Sequence, residues 1–177
     1  MKIFTCRICG EVYLGEEVPH TCPFCGVSRR YLWLSKIWKD EGKDLVLSDA
    51  SRSNLEKALK IELSNTAFYL AAAQNLSNQE IALMFKGLAK VENEHAGVFR
   101  KLLKAKIEND PSVVENCADD ATGAVKESAA REQRAVEFYG QAMGEASEPW
   151  VKEVFKAIME TEADHLKLDN NYLKLKI

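Results

Sequence analysis

The sequence predicts a mainly α-helical protein in which a four-helix bundle follows a small N-terminal metal-binding domain. Two observations carry this prediction. The first is an internal repeat at an offset of 70 positions, because Glu92-x-x-His95 recurs as Glu162-x-x-His165. The second is a pair of Cys-x-x-Cys motifs within the first 26 residues. Two of the three histidines of the chain lie in the repeat, which points to two copies of a helical hairpin.

Composition excludes several classes of protein. The 177 residues are 46% hydrophobic and 29% charged, which is ordinary for a globular chain. A net charge of -3 gives no basic surface of the kind that nucleic-acid binding requires. No apolar run approaches the roughly 18 residues of a membrane span, and no secretory signal precedes Cys6. We therefore expect a cytoplasmic protein that binds neither nucleic acid nor a membrane.

Residues 1–35 are predicted to fold around one metal ion. The four candidate ligands are Cys6, Cys9, Cys22 and Cys25. Two such pairs can surround one soft-binding ion, and a glycine after each pair permits a tight turn at positive φ. So short a segment has too small a core to fold unaided, so that the metal must supply much of the folding free energy. The cysteine spacing alone leaves zinc and iron equally open.

A polar linker over residues 36–52 leads to the predicted bundle over residues 53–177. Capping-box patterns at Ser53 and Ser77 predict two helix starts, and Ser147 before Pro149 predicts another. The predicted helices span residues 54–75, 78–104, 122–146 and 148–174. Short connections make the first two helices an antiparallel pair, and likewise the last two, with a longer crossover between the pairs.

Each predicted helix carries an apolar stripe that ionisable residues interrupt near its middle. These residues are Glu62, Glu92 with His95, Glu132, and Glu162 with His165. Burying four uncompensated carboxylates would cost several kcal/mol, and no Lys or Arg lies on the stripes to pair with them. Two divalent cations would balance the four negative charges, and mixed oxygen and imidazole ligation suits iron or manganese. Glu62 and Glu132, on helices that lack a histidine, can bridge or cap the metal pair.

Two tyrosines occupy matching positions in the repeat. Tyr69 follows Glu62 by seven residues, and Tyr139 follows Glu132 by seven. On a helix this spacing places the phenol on the same face as the carboxylate, two turns away. The tyrosines are therefore candidates to hydrogen-bond ligand carboxylates from a second layer, the alternative being that they only fill the core.

The cysteine pairs, the two Glu-x-x-His motifs and the Glu-to-Tyr spacings together resemble the rubrerythrin family. The resemblance is to the reversed arrangement, in which a rubredoxin-like domain precedes a ferritin-like di-iron bundle. It implies one rubredoxin-type iron on the cysteines, in preference to zinc, and two non-haem irons on the Glu and His residues. It also implies peroxidase activity, in which hydrogen peroxide is reduced to water with electrons from NAD(P)H through a reductase and rubredoxin-type iron. The resemblance also implies a homodimer, in which one chain's rubredoxin-like centre lies near the other chain's di-iron site, or a higher homo-oligomer.

One position departs from the family's peroxidase-type pattern. Such chains carry a further glutamate three residues after the bridging one on the third helix, whereas Ala135 stands there in this sequence. The departure makes reduction of dioxygen, or oxidation of ferrous iron, more plausible. Two alternatives therefore stay open beside the peroxidase: an iron-handling ferroxidase, and a redox sensor or adaptor with a zinc-binding N-terminal domain.

Overall fold

A computed structural model describes residues 1–107, 115–118 and 120–175 of the chain. The N-terminal part forms a small antiparallel sheet of strands β1 (Lys2–Cys6), β2 (Val12–Gly15) and β3 (Leu32–Leu34). The order is β2-β1-β3, so β1 is the central strand and carries Cys6 at its end. Short 3₁₀ turns over Arg29–Tyr31 and Ser35–Ile37 flank β3.

Two glycines shape the loops that present the cysteines. Gly10 has φ of 86° and Gly26 has φ of 72°, a region that residues with a side chain rarely adopt. The amide of Gly10 donates to the Cys6 carbonyl, and the amide of Gly26 donates to the Cys22 carbonyl, both at 3.0 Å. The positive φ predicted after each cysteine pair is confirmed.

Four long helices form the rest of the described chain. They are α1 (Asp49–Asn75), α2 (Gln79–Leu103), α3 (Ala121–Glu145) and α4 (Pro149–Leu175). The main packing pairs are α1 with α2 and α3 with α4, as the short connections predicted. The third and fourth helices lie within one residue of their predicted bounds. Residues 108–114 and 119 of the predicted crossover lie outside the described residues.

The predicted start of the first helix was wrong by five residues. Ser48, not Ser53, caps α1, and its hydroxyl accepts from the Ser51 amide. The cause is a contact distant in sequence, because the Glu148 carboxylate accepts hydrogen bonds from the Ser48 amide and the Ser51 hydroxyl. Glu148 thereby holds the first turn of α1 against the start of α4.

The predicted cap of the second helix was displaced by one residue. Asn78, not Ser77, caps α2, and its side-chain oxygen accepts from the Ile81 amide at 3.1 Å. Asparagine is at least as good an N-cap as serine, so Asn78 can cap the helix in place of Ser77.

The aromatic segment after the cysteines packs the N-terminal domain onto α4. The Tyr31 hydroxyl donates to Glu153 at 2.9 Å. The Arg7 guanidinium lies over the rings of Trp33, at 4.2 Å, and Trp150, at 5.1 Å. Because Trp150 and Glu153 belong to α4, these contacts fix the sheet at one side of the bundle.

Candidate metal centres

The four cysteines of the N-terminal domain converge on one point. Their sulfur atoms all lie within 4.8 Å of one another. The Cys6–Cys25 and Cys9–Cys22 Sγ atoms are each 3.8 Å apart. A tetrahedron with metal–sulfur bonds of about 2.3 Å has edges of about 3.8 Å, so the geometry fits one tetrahedral ion. Cys6, Cys22 and Cys25 are buried and Cys9 is partly exposed.

The bundle brings the six predicted Glu and His ligands together in its interior. They form two overlapping groups: Glu62, Glu92, His95 and Glu162 in one, and Glu92, Glu132, Glu162 and His165 in the other. All four glutamates have no exposed surface, and His165 is only 9% exposed. Each helix contributes at least one member, at the interruption of its apolar stripe. The site therefore has places for two ions, with Glu92 and Glu162 common to both.

Each carboxylate oxygen of Glu162 lies close to a different histidine. Its Oε1 lies 2.9 Å from His95 Nδ1, and its Oε2 lies 2.9 Å from His165 Nδ1. The same is true of Glu92, with Oε2 3.2 Å from His95 Nδ1 and Oε1 3.1 Å from His165 Nδ1. One oxygen directed to each side is the arrangement of a bridging carboxylate.

Glu62 and Glu132 lie at opposite ends of this group. Glu62 Oε1 is 3.8 Å from His95 Nδ1, and Glu132 Oε1 is 3.7 Å from His165 Nδ1. Each approaches one histidine, so of the two roles open to them from the sequence the geometry favours capping over bridging.

Buried atoms without partners show that the residues fit a pair of cations. Among the described residues, carboxylate oxygens from all four glutamates and Nδ1 of His165 are buried without a hydrogen-bond partner. The distances of 2.9–3.1 Å from the Glu162 oxygens and Glu92 Oε1 to the histidine nitrogens are close approaches without hydrogen-bond geometry. Burial, with repulsion from Glu162 and Glu92, raises the pKa of Glu62 well above its ordinary range. Burial and the same kind of repulsion raise the pKa of Glu132. Two divalent cations would satisfy these oxygens and neutralise the charge at once.

The second nitrogen of His95 contacts the N-terminal domain. His95 Nε2 lies 2.9 Å from the carbonyl oxygen of Cys25. Because a carbonyl can only accept, Nε2 carries the hydrogen and Nδ1 is left to bind metal. The bond joins a residue of the cysteine site directly to a residue of the carboxylate site within one chain.

Close packing around Gly26 makes this bond possible. A Cβ atom at Gly26 would lie 2.7 Å from Cγ2 of Thr161 on α4, which is closer than such atoms approach. Thr161 immediately precedes Glu162. The absence of a side chain at Gly26 therefore lets the second cysteine loop rest on the helix that carries two of the predicted ligands.

The two predicted tyrosines bond across the repeat. Tyr69 donates to Oε1 of Glu132, and Tyr139 donates to Oε1 of Glu62. Each phenol thus reaches the capping glutamate of the other half, and not the one on its own helix. Burial, reinforced by the glutamate charges, raises the pKa of both tyrosines well above the ordinary value, which keeps them as donors.

Ala135 lies in the wall of a cleft beside the bundle. The cleft has a volume of about 380 Å³ and its lining includes Asn65, Arg131 and Arg134. Ala135 itself is 1% exposed. No carboxylate from this position reaches the ligand groups, so the described site has four glutamates and two histidines.

Two buried polar residues beside the site, Ser128 and Asp169, were not predicted from the sequence. The Ser128 hydroxyl contacts Asp169 Oδ2 at 2.6 Å and the Tyr69 hydroxyl at 3.1 Å. The repeat holds a signal that could have found them, because the equivalent positions 70 residues earlier are Ala58 and Phe99. Ser128 and Asp169 place two polar side chains in the interior where the first half of the repeat has apolar ones, and such a difference can indicate a functional role. The Cys25 carbonyl was also missed, since a backbone atom leaves no signal in side-chain patterns.

The fold and the two sites define a helical-bundle protein with a dinuclear carboxylate centre and an attached four-cysteine centre. Residues 53–173 match the family described as Rubrerythrin. Residues 4–32 match the family described as "Rubrerythrin, rubredoxin-like domain". The chain belongs to the rubrerythrin family, and it carries a rubredoxin-like four-cysteine site and a carboxylate and histidine di-iron site.

A curated relative supports the order of the two domains. Reverse rubrerythrin-1 of Clostridium acetobutylicum is 34% identical over 114 residues, which cover 58% of this chain. The aligned part spans 62% of the length of that protein. No solved structure shows a significant match to the chain. None of the helices in the described ranges combines the length and apolar content needed to cross a membrane.

Proposed function

We propose that this protein is a rubrerythrin-type peroxidase that reduces hydrogen peroxide to water. In this proposal Cys6, Cys9, Cys22 and Cys25 hold one iron. The di-iron pair is held by Glu62, Glu92, His95, Glu132, Glu162 and His165. Electrons originate in NAD(P)H and arrive through a reductase and rubredoxin-type iron. The observation that carries the proposal is the hydrogen bond from His95 Nε2 to the Cys25 carbonyl, because it joins an electron-carrying site to a substrate-reducing one.

The bound irons would supply redox electrons and Lewis acidity at the place where peroxide binds. The four glutamates would balance the positive charge of the two irons, and the glutamates and histidines together would fix their positions. Glu92 and Glu162, each directed to both histidines, would keep the two ions at a fixed separation. Tyr69 and Tyr139 would orient the capping carboxylates, which retain one oxygen each for metal.

The Cys25 backbone provides the proposed electron route. Its sulfur belongs to the cysteine site, and its carbonyl accepts from His95, whose Nδ1 faces the carboxylates. Only covalent bonds and one hydrogen bond of 2.9 Å therefore separate the two centres. This route runs within one chain, whereas the family resemblance suggested transfer between the chains of a homodimer.

Mixed dimers test the proposed route. One partner would carry Cys9→Ser, which disables the cysteine site, and the other would carry Glu92→Ala, which disables the carboxylate site. Transfer within a chain predicts that mixing the variants restores no peroxidase activity. Recovery of a substantial share of wild-type activity would show that electrons cross between chains.

The proposed activity is tested by reducing the protein without oxygen and mixing it with hydrogen peroxide. Rapid reoxidation of the di-iron site is expected, followed by the visible thiolate-to-iron absorption of the oxidised cysteine site. Failure of peroxide to reoxidise the site would refute the peroxidase proposal. A cysteine site without that absorption would instead support a zinc-binding sensor.

Dioxygen is a second candidate oxidant, and Ala135 is the observation that favours it. The peroxidase-type pattern places an additional carboxylate there, while this chain places a methyl group in the wall of a cleft. The same anaerobic sample mixed with dioxygen compares the two oxidants directly. A faster reaction with dioxygen than with peroxide would make dioxygen reduction the principal activity.

The number of chains in the assembly distinguishes a peroxide- or dioxygen-reducing enzyme from an iron-storage protein. We propose a homodimer, on the resemblance to the family. A ferroxidase that stores iron needs a large cage, so a dimer in analytical ultracentrifugation is expected. A cage of many chains that accumulates iron would favour the ferroxidase alternative.

A further inference from the structure

A line of hydrogen bonds leads to the di-iron site from Asp169, which lies about one helical turn beyond His165 on α4. Asp169 Oδ2 is 2.6 Å from Ser128 Oγ, which is 3.1 Å from the Tyr69 hydroxyl. Tyr69 then donates to Oε1 of Glu132. All four residues are buried, and Asp169 has no exposed surface. The line joins α4, α3 and α1 and ends on the capping carboxylate near His165.

When Glu132 is ionised, as a metal-bound carboxylate would be, the number of hydroxyl hydrogens fixes the direction of this line. Ser128 has one hydrogen and two oxygen neighbours, Asp169 and the Tyr69 hydroxyl, while the Tyr69 hydrogen is committed to Glu132. If Asp169 is ionised, Ser128 donates to it and its contact with Tyr69 has no hydrogen. If Asp169 is protonated, it donates to Ser128, Ser128 donates to Tyr69, and every contact is a hydrogen bond. A proton on Asp169 therefore aligns the whole line toward Glu132.

The other half of the repeat lacks this line. Phe99 stands at the position equivalent to Asp169 and Ala58 at that of Ser128, and both are fully buried. Tyr139 lies against Phe99, with ring centroids 5.7 Å apart, and its hydroxyl donates to Glu62. The two capping glutamates are otherwise equivalent. The polar line therefore distinguishes one end of a nearly symmetric site.

We propose that Asp169, Ser128 and Tyr69 form a proton relay that delivers protons to Glu132, at the His165 end of the di-iron site. The proposal rests on the proposed function, since reduction of one hydrogen peroxide to two waters consumes two electrons and two protons. The two electrons would come from the bound di-iron pair, one from each ion, and the cysteine-bound iron would return them one at a time, while the protons would come from solvent through Asp169. In each transfer Tyr69 donates its phenolic proton to Glu132 and accepts the hydroxyl proton of Ser128. Ser128 in turn accepts a proton from Asp169, which is then protonated again from solvent.

The surroundings of Asp169 suit a group that takes up and releases protons. Burial raises its pKa from 3.8 to about 7, against the opposing effects of the Ser128 hydrogen bond and the charge of His165. Glu92 adds to the increase. Among the described atoms Oδ1 is buried without a partner, so the ionised form has one hydrogen bond where a carboxylate accepts several. Asp169 lies in the last two turns of α4, which ends at Leu175, with exposed neighbours on either side.

The matched variants Tyr69→Phe and Tyr139→Phe test the relay. Each removes one hydrogen bond to a capping glutamate, but only Tyr69 belongs to the line. Single-turnover oxidation of the reduced protein by peroxide is expected to slow about tenfold to hundredfold more in Tyr69→Phe than in Tyr139→Phe. Equal rates in the two variants would overturn the proposal. If the wild-type protein does not react with peroxide, the proposed function has failed, and the relay is decided by the infrared measurement that follows.

Asp169→Asn and Ser128→Ala remove the other two members. Both are expected to keep full iron content and to slow the single turnover with a changed pH profile. Ser51→Ala is the control, because Ser51 is an equally buried serine whose hydroxyl donates to a carboxylate, Glu148, away from the site. If Asp169→Asn retains the wild-type rate, or if it loses iron from the bundle, the relay is refuted.

An infrared measurement gives a readout that does not depend on turnover. Protein loaded with redox-inactive Zn²⁺ is expected to show a protonated-carboxyl band that disappears as the pH is raised, because burial raises the pKa of Asp169. The band should be absent in Asp169→Asn and shifted in Ser128→Ala, which removes its hydrogen-bond partner. A band that persists in Asp169→Asn, or no band in the wild-type protein, would contradict the assignment.

Discussion

Gly26→Ala tests the docking of the cysteine loop on the bundle. The new Cβ has two effects that can be separated. It forces a residue with a side chain to adopt φ of 72°, and it lies 2.7 Å from Cγ2 of Thr161. The first effect costs about 1–2 kcal/mol. The second adds about 1–3 kcal/mol if the loop stays in place, or else moves the loop away from α4.

Gly10→Ala is the matched control for the backbone effect. Gly10 occupies the same place in the first cysteine loop with φ of 86°, but a Cβ there would meet only Nζ of Lys101, at 3.9 Å. We expect Gly26→Ala to lower the thermal unfolding midpoint of the iron-loaded protein more than Gly10→Ala does. We also expect it alone to slow reoxidation of the cysteine site, because the Cys25–His95 hydrogen bond lengthens.

A double variant completes this test. Thr161→Ser removes Cγ2 and keeps the hydroxyl that donates to the Ala157 carbonyl. Combined with Gly26→Ala, it is expected to restore the electron-transfer rate and to leave only the backbone cost. If Gly26→Ala transfers electrons at the wild-type rate, contact between the loop and α4 does not set the route, and the reasoning fails.

The remaining predictions concern metal binding, pH and domain packing. Glu92→Ala is expected to lose both bundle irons, because Glu92 belongs to both groups of ligands. Glu62 belongs to one group, so Glu62→Ala is expected to weaken the binding of one iron. Metal analysis should show that both variants keep the cysteine-bound iron. The pKa of Asp169 is about 7 in the folded state and 3.8 for an ordinary aspartate. Between these two pH values the folded state binds a proton that the unfolded state does not, so the free energy of unfolding falls as the pH rises through this range. Asp169→Asn should therefore raise the thermal midpoint relative to wild type above about pH 7, and an unchanged difference across pH would contradict the assignment. Tyr31→Phe removes the bond to Glu153 and should cost about 1 kcal/mol, measured by denaturant unfolding, without loss of iron.

The sequence predicted the bundle and the convergence of the six candidate ligand side chains because both rest on side-chain periodicity. An apolar stripe interrupted by Glu92 and His95 points inward wherever the helix begins, so these side chains meet although the predicted helix starts at Ser53 and Ser77 were wrong. Those starts failed because local capping patterns compete with tertiary contacts. In α1 the deciding partner, Glu148, lies 100 residues away in sequence from Ser48.

Other features depended on relations that only the fold provides. The Cys25 carbonyl reaches His95 because two domains dock, and neither residue type signals that contact. The crossed bonds of the tyrosines depend on which helices face each other across the core. Ser128 and Asp169 could have been recognised in the sequence as departures from the repeat. Their contact with each other, and the connection from Ser128 through Tyr69 to Glu132, depend on the folded structure.

In the proposed mechanism, one chain combines a peroxide-reducing di-iron site with its own electron supply. A stopped-flow experiment on the fully reduced protein, with one peroxide per chain or less, follows both centres in a single reaction. The thiolate-to-iron absorption of the cysteine site is expected to rise after the di-iron site is oxidised, at a rate independent of protein concentration. A di-iron site that stays reduced, or a cysteine site whose oxidation rate is proportional to protein concentration, would contradict the account.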